Sequence, residues 1–245
     1  MVAVYYHNVA KVIVEAFEKR RNFLTRGFFE IEGMQNDTGA RDKFTLSTYT
    51  RLADGFIQDF RKFQKNCDVN IRLATGDIQT IPAAVERSYN LMFVPLDSPI
   101  NFSRSIPQSG ACFVVQSISA DGASDNMFML LYDIRTQKYL YSEHNGFAYI
   151  ENKKARQGKG SASMNSLIAL NRKAVSLIGK YDFLTENSRI TVSNSIVSDI
   201  FLLAGGSVDK IIYMIPSEYE KTMLSILASS LRRSIEILPD CIVLH

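Results

Sequence analysis

The 245-residue chain has no tryptophan, three cysteines, three histidines and six prolines. Cys67, Cys112 and Cys241 are far apart, odd in number and without C-x-x-C spacing. That excludes a disulfide framework and predicts buried thiols in a reduced setting. His7, His144 and His245 have no second ligand at i+3 or i+4, which argues against zinc. No apolar run approaches the length of a bilayer span, and Lys11, Glu15 and Glu18 interrupt the N-terminal apolar residues as no signal peptide would. There is no G-x-S-x-G elbow. Gly158-Lys159-Gly160-Ser161 lacks the spacing of a phosphate loop and follows no strand, so a basic linker is expected there. A net charge of +3 does not single out nucleic acid as a partner. These absences predict a cytoplasmic protein.

What is present is a core-forming composition: 46% hydrophobic and 22% charged residues, enough for one large α/β domain or two small ones. Tyr5, Val9, Val12, Ile13, Ala16 and Phe17 share a helical face, and Lys19-Arg20-Arg21 would end that helix favourably against its dipole. Turn signals at Gly33, Asn36-Asp37 and Gly39 predict a loop or loose hairpin over 27–42. The β-branched run 43–50 predicts a strand, and Leu52, Phe56, Ile57, Phe60 and Phe63 a second helix. A strand is expected over 69–73, and a short helix over 81–87 with Pro82 in its first turn. The apolar run 91–94 reads as a buried strand. A β-meander follows: 111–120 and 127–133 joined through Asp121-Gly122, then 138–142 and 147–150 joined through Asn145-Gly146. The polar stretch 151–163 reads as an exposed loop between halves. Beyond it, 164–179 reads as helix, 189–192 as strand, 195–204 as helix, 210–214 as strand and 218–233 as helix. Residues 235–244 form a closing strand broken by Pro239. An antiparallel half (1–152) followed by a β-α-β-α half (153–245) predicts one layered α/β sandwich.

The centre of the sequence is Val94-Pro95-Leu96-Asp97-Ser98-Pro99-Ile100-Asn101-Phe102, a strand end delivering one carboxylate to a turn. This stretch resembles the inositol monophosphatase hallmark D-P-[IL]-D-G-T-x-N-F, keeping Pro95, Leu96, Asp97, Asn101 and Phe102 in register and running on to Ile106-Pro107. Leu131-Tyr132-Asp133, Tyr139 and Asn145-Gly146-Phe147-Ala148 are similar to the hairpin that follows in that family. Asn194-Ser195, Asp199, Leu203-Ala204, Gly206 and Val208-Asp209 look like its later helix, and Tyr219-Glu220 stands where the family has W-D.

The resemblance implies an α-β-α-β-α sandwich of the inositol monophosphatase and fructose bisphosphatase type. It also implies Mg²⁺-dependent hydrolysis of a phosphate monoester, with carboxylates holding two or three ions that activate water. Position by position, the ligands thin out. Val94 replaces the first hallmark acid, Ser98 the glycine and Pro99 the threonine, which removes a hydroxyl and an N–H. Arg72, Leu73 and Thr75 stand where a Glu-Glu pair is expected, Thr50 where an upstream acid is, and Tyr213 where an acid beside the sugar is. The resemblance leaves Asp97 and Glu220 as vestigial metal ligands, and Ser98 and Asn101 as candidate phosphate contacts.

The function expected first is therefore a binding or interaction module that has lost most phosphomonoesterase activity. A rebuilt phosphatase using Asp97 and Glu220, with Asp77 or Asp54 and a single Mg²⁺, is the alternative. Another is an RNA- or RNA-polymerase-associated factor, by analogy with a bacterial relative, using Lys153, Lys154, Arg156 and Lys159. A small phosphorylated ligand fits the first two expectations. The chain ends soon after the Glu220 helix, where the family usually continues, and this C-terminal shortening predicts exposed apolar surface and a homodimer.

Overall fold

The computed structural model describes residues 2–34, 37–63, 68–73, 78–81, 88–118, 124–151, 153–155, 166–182, 184 and 189–245. Cys67, Thr75, Asp77, the Asp121-Gly122 turn, Arg156, Gly158-Lys159-Gly160-Ser161 and most of the helix expected over 81–87 lie outside them. Among the described residues no helix is long and apolar enough to cross a membrane.

The chain opens with two long helices, α1 (Val2–Gly33) and α2 (Thr38–Phe63). On α1 the buried positions Ile13, Ala16, Phe17, Leu24, Phe28 and Ile31 recur at helical spacing; on α2 they are Thr45, Thr48, Leu52, Ala53, Phe56, Ile57 and Phe60. Three expectations are corrected here. Residues 27–42 are not a hairpin: α1 continues to Gly33 and α2 begins at Thr38. Residues 43–50 are not a strand: Thr45 and Thr48 lie on the buried stripe, and the Thr45 hydroxyl donates to the Arg41 carbonyl one turn back (2.8 Å). Lys19-Arg20-Arg21 sits in the middle of α1. There Arg20 pairs with Asp59 of α2 at 2.8 Å, donates to Ala16 O and reaches Gly55 O. Burial alone would push the Asp59 carboxyl up, but the Arg20 hydrogen bond and charge outweigh it and hold it below its ordinary value. Gly55 and Gly27 are contact points within the helices. A Cβ at Gly55 would lie 2.6 Å from the Arg20 guanidinium, and one at Gly27 would touch Phe102, Phe44 and Thr48.

The helix pair lies on an eight-stranded sheet in the order β2-β1-β3-β4-β5-β6-β7-β8. Its strands are β1 (Asp68–Leu73), β2 (Ile78–Ile81), β3 (Ser88–Val94), β4 (Gly110–Ile118), β5 (Ser124–Asp133), β6 (Lys138–Glu143), β7 (Ala148–Ile150) and β8 (Lys153–Lys154). Ile81 closes β2 instead of opening a helix, and Lys153-Lys154 forms a two-residue edge strand where a loop was expected. All pairings are antiparallel except β1 with β3. Strand alternation divides the side chains between two cores. Ile71, Leu91, Phe93, Phe113, Val115 and Leu130 face α1 and α2. Phe93 and Phe113 stack at 4.4 Å, with Phe56 at 4.5 and 4.8 Å from them. Met92, Val94, Cys112, Val114, Met129 and Leu131 face the opposite way.

That opposite face packs on α4 (Ile196–Ala204) and α5 (Glu218–Leu231), which bury their other side against a second sheet in the order β10-β9-β11-β13-β12. Its strands are β9 (Leu167–Leu170), β10 (Arg189–Val192), β11 (Lys210–Met214), β12 (Ile235–Ile237) and β13 (Cys241–Leu244). Residues 164–179 are thus not one helix. β9 pairs in parallel with β10 and β11, and only Arg172–Leu177 coils, as a 3₁₀ helix capped by Asn171. That short helix, with Leu184, covers the outer face of the second sheet over Ile168, Leu170, Ile212, Cys241 and Val243. The layers are α-β-α-β-helix, as the sequence predicted. The chain after α5 supplies the β12–β13 hairpin, and the apolar surface left open there is at Ile235 and Ile237, the latter 77% exposed.

Candidate functional site

β3 ends at Val94, Pro95 and Leu96 are buried, and Asp97 follows half-buried where β3, β4 and α4 meet. Its carboxylate is held by three donors from two distant segments. Gly110 N–H, at the start of β4, donates to Oδ1 at 2.7 Å; the Ser195 hydroxyl and Val197 N–H donate to Oδ2 at 2.6 and 3.2 Å. Asp97 N–H returns a bond to Gly110 O at 2.9 Å. Ser195 is the N-cap of α4, its oxygen accepting from Ser198 N–H, so the carboxylate completes the capping of that helix. Burial pushes the Asp97 pKa up to about 6 despite these bonds, and the Asp133 charge adds to the rise.

A second acid, absent from the sequence-derived metal set, lies one turn into α4. Asp199 is fully buried and accepts from the Ser193 hydroxyl at 2.7 Å and the Tyr213 hydroxyl at 2.8 Å. Burial pushes its pKa up to about 7, and the Asp97 charge contributes. Tyr213, which stands where the family has a sugar-side acid, is a buried donor to Asp199; burial and that carboxylate push its phenol well above the ordinary range.

The other predicted site residues are engaged by their own neighbourhood. Glu220 reaches back to the start of α5, where its Oε2 accepts from Ser217 N–H at 2.7 Å and the Ser217 hydroxyl at 2.6 Å. Ser217-x-x-Glu220 is a capping box, a signal legible in the sequence and passed over. Ser98 is buried as the residue before α3 (Pro99–Ser103), and its carbonyl accepts from Phe102 N–H at 3.1 Å. The Asn101 amide is buried, donating to Gln108 O and to Ser193 O, each at 2.6 Å. Neither presents a side chain for a phosphate. Thr50 is exposed on α2 and bonded to Leu46 O; Asp54 is also exposed there. Asp97 and Glu220 do share surroundings, since both charges raise the pKa of Cys112, Tyr213 and Tyr219 after the larger effect of burial.

A centre for two or three divalent ions needs several convergent carboxylate oxygens. Among the described residues no group of three His, Cys, Asp or Glu side chains could hold a metal ion. With Asp97 committed to three donors, Glu220 to its cap and Val94 contributing only methyl groups, the described residues do not fit such a centre.

Beside Val94 the structure opens into a cleft of about 140 Å³ lined by Arg72, Leu73, Met92, Val94, Ser217, Glu218 and Tyr219. Sheet register explains the set. Arg72 lies opposite Met92, which lies opposite Val114, so Arg72 emerges on the face that packs α5, at the side where the sheet runs out to its β2 edge. Arg72 is exposed and makes no hydrogen bond or ion pair with any described residue. Its charge nevertheless helps hold the Glu218 carboxyl below its ordinary value, after the larger effect of Lys221.

No protein-family profile and no curated protein sequence matches this chain. Solved structures do. The extragenic suppressor protein suhB from Bartonella henselae superposes with a TM-score of 0.74 at 15% identity, over 96% of this chain and 93% of that one. Inositol monophosphatase II from Staphylococcus aureus MSSA476 gives 0.70 at 12% identity, over 100% and 91%. An inositol monophosphatase/NADP phosphatase complexed with NADP and Ca²⁺ gives 0.68 at 12% identity, over 100% and 91%. The chain therefore has the inositol monophosphatase fold.

Proposed function

We propose that this chain is a divergent inositol-monophosphatase-fold protein that binds a ligand at the Arg72–Tyr219 cleft without hydrolysing phosphate esters. One observation carries the proposal: Asp97, the carboxylate the hallmark retains, is held by Gly110, Ser195 and Val197 and serves to join β4 and α4 to the end of β3. The solved neighbours include one with NADP and Ca²⁺ and one with 2'AMP. On this chain the Arg72 cleft offers a guanidinium and apolar side chains, and no group of three acids stands among the described residues. A carboxylate cluster concentrates cations; one arginine over an apolar floor draws anions.

The expected result is no Mg²⁺-dependent phosphate release from inositol phosphates, sugar bisphosphates or adenosine bisphosphate above the protein-free rate. Robust turnover abolished by both Asp97→Asn and Glu220→Gln would sink the proposal. It would restore the rebuilt phosphatase in its place.

A further inference from the structure

We infer that the Arg72 cleft takes a small planar monocarboxylate with a single-ring body, of which benzoate is the simplest example, and binds it without a metal ion. The inference rests on the non-catalytic reading above and adds the class of ligand.

Size comes first. The cavity holds about 140 Å³, close to the roughly 150 Å³ in which an apolar protein cavity accommodates a benzene ring. Its floor is Leu73, Met92 and Val94, which have no polar atom to offer, so the occupant's body is apolar. At its mouth stands Arg72, exposed and with no hydrogen-bond or ion-pair partner among the described residues. A guanidinium presents two parallel N–H donors in the spacing of a carboxylate.

Charge decides between a carboxylate and a phosphate. The far wall is the first turn of α5, which carries Glu218 and Glu220. Glu218 pairs with Lys221 at 2.8 Å, and Glu220 is folded back on Ser217. The Ser217 N–H at this helix end is therefore answered already by Glu220. Lys221 offsets Glu218, so a phosphate dianion would face the Glu220 carboxylate with the Arg72 guanidinium alone to hold it, whereas a monoanion matches one guanidinium. The wall thus selects against the more highly charged ligand.

The test is calorimetric titration of the intact chain with benzoate in EDTA. Saturable binding with Kd on the order of 1 mM is expected for so small a ligand. Arg72→Gln should weaken it about tenfold or more. Arg61→Gln should leave it unchanged, because Arg61 lies on α2, across the sheet, bonded to Gln79. Benzyl alcohol, which has the ring without the charge, should not saturate. No saturable benzoate binding, equal binding by Arg72→Gln, or phenyl phosphate binding as tightly as benzoate would each overturn the proposal while leaving the non-catalytic reading in place. Mg²⁺-dependent release of phosphate from phenyl phosphate would overturn both.

Discussion

Gly110→Ala should cost the fold more than about 3 kcal/mol, read as a large drop in the urea midpoint at unchanged slope. One methyl group has this effect because of where it would point. A Cβ at Gly110 would lie 2.4 Å from the Tyr132 carbonyl oxygen and 2.5 Å from Val197 Cγ1. The first neighbour is backbone, held in the β4–β5 ladder where Ala111 pairs with Tyr132, and cannot swing aside as a side chain would. The second sits on α4, one residue past its first turn residue, and its N–H is already bonded to Asp97. Relieving either clash moves β4 away from Asp97 and stretches the Gly110 N–H···Oδ1 bond. Weakening a hydrogen bond to a charged carboxylate adds up to about 1.5–3 kcal/mol to the overpacking cost. A double-mutant cycle separates the parts: Val197→Ala should recover only a fraction of the loss, because the Tyr132 contact remains. A loss below about 1 kcal/mol would show that the β3–β4–α4 junction is softer than its hydrogen bonds imply.

The same junction shows how far the sequence could be read. Asp97 was identifiable because a lone acid after an apolar strand run is a local pattern, and the neighbouring hallmark residues fixed its context. Its donors were not identifiable: Ser195 and Val197 are about a hundred residues away, and their meeting with Asp97 depends on α4 packing between two sheets. The strands β3 to β7 are legible because apolar runs bounded by turns such as Asn145-Gly146 are short-range signals, and α4 because Gly205-Gly206 marks its end. Within the first sixty residues, the end of α1 and the start of α2 are hidden for a physical reason. Gly33, Asn36-Asp37 and Gly39 look like turn signals in a sequence, yet α1 runs to Gly33 and α2 takes in Gly39. At Gly55 the Arg20 guanidinium comes within 2.6 Å of where a Cβ would stand, while at Gly27 a Cβ would meet Phe102, Phe44 and Thr48 at ordinary contact distance. Likewise Thr45 and Thr48 suggest a strand until α1 and the sheet bury them on a helical stripe. β9 is hidden in the sequence because Leu167–Leu170 is a short apolar run, which periodicity alone does not assign. In the sequence Arg72 shows only as a lost acid. Its role at a cleft depends on β1 pairing parallel with β3, which no local pattern announces.

Acidification from pH 8 to pH 5 should stabilise the protein through Asp199, and Asp199→Asn should abolish most of that gain. Asp199 is fully buried, with its pKa pushed from an ordinary 3.8 up to about 7. Between those values the folded chain holds a proton that the unfolded chain has released, so stability falls as pH rises through the window. The stabilisation is complete below pH 4 and lost above pH 7, and a shift of this size corresponds to about 4 kcal/mol. This trend opposes the usual behaviour of paired surface carboxylates such as Asp240, whose hydrogen bond to Lys180 holds it below its ordinary value. The asparagine keeps the side-chain shape and a carbonyl acceptor for either Ser193 or Tyr213, while its amide can donate to the other oxygen. It should therefore match or exceed the parent's stability at pH 8 and fall behind its gain at pH 5. Urea titrations at the two pH values measure both quantities. Parallel pH profiles for parent and variant would mean that Asp199 stays ionised in the folded state, with the Ser193 and Tyr213 hydroxyls outweighing its burial. Tyr213→Phe provides the converse check. It removes the donor to Oδ2 and should raise the Asp199 pKa further, moving the pH-dependent loss of stability to higher pH.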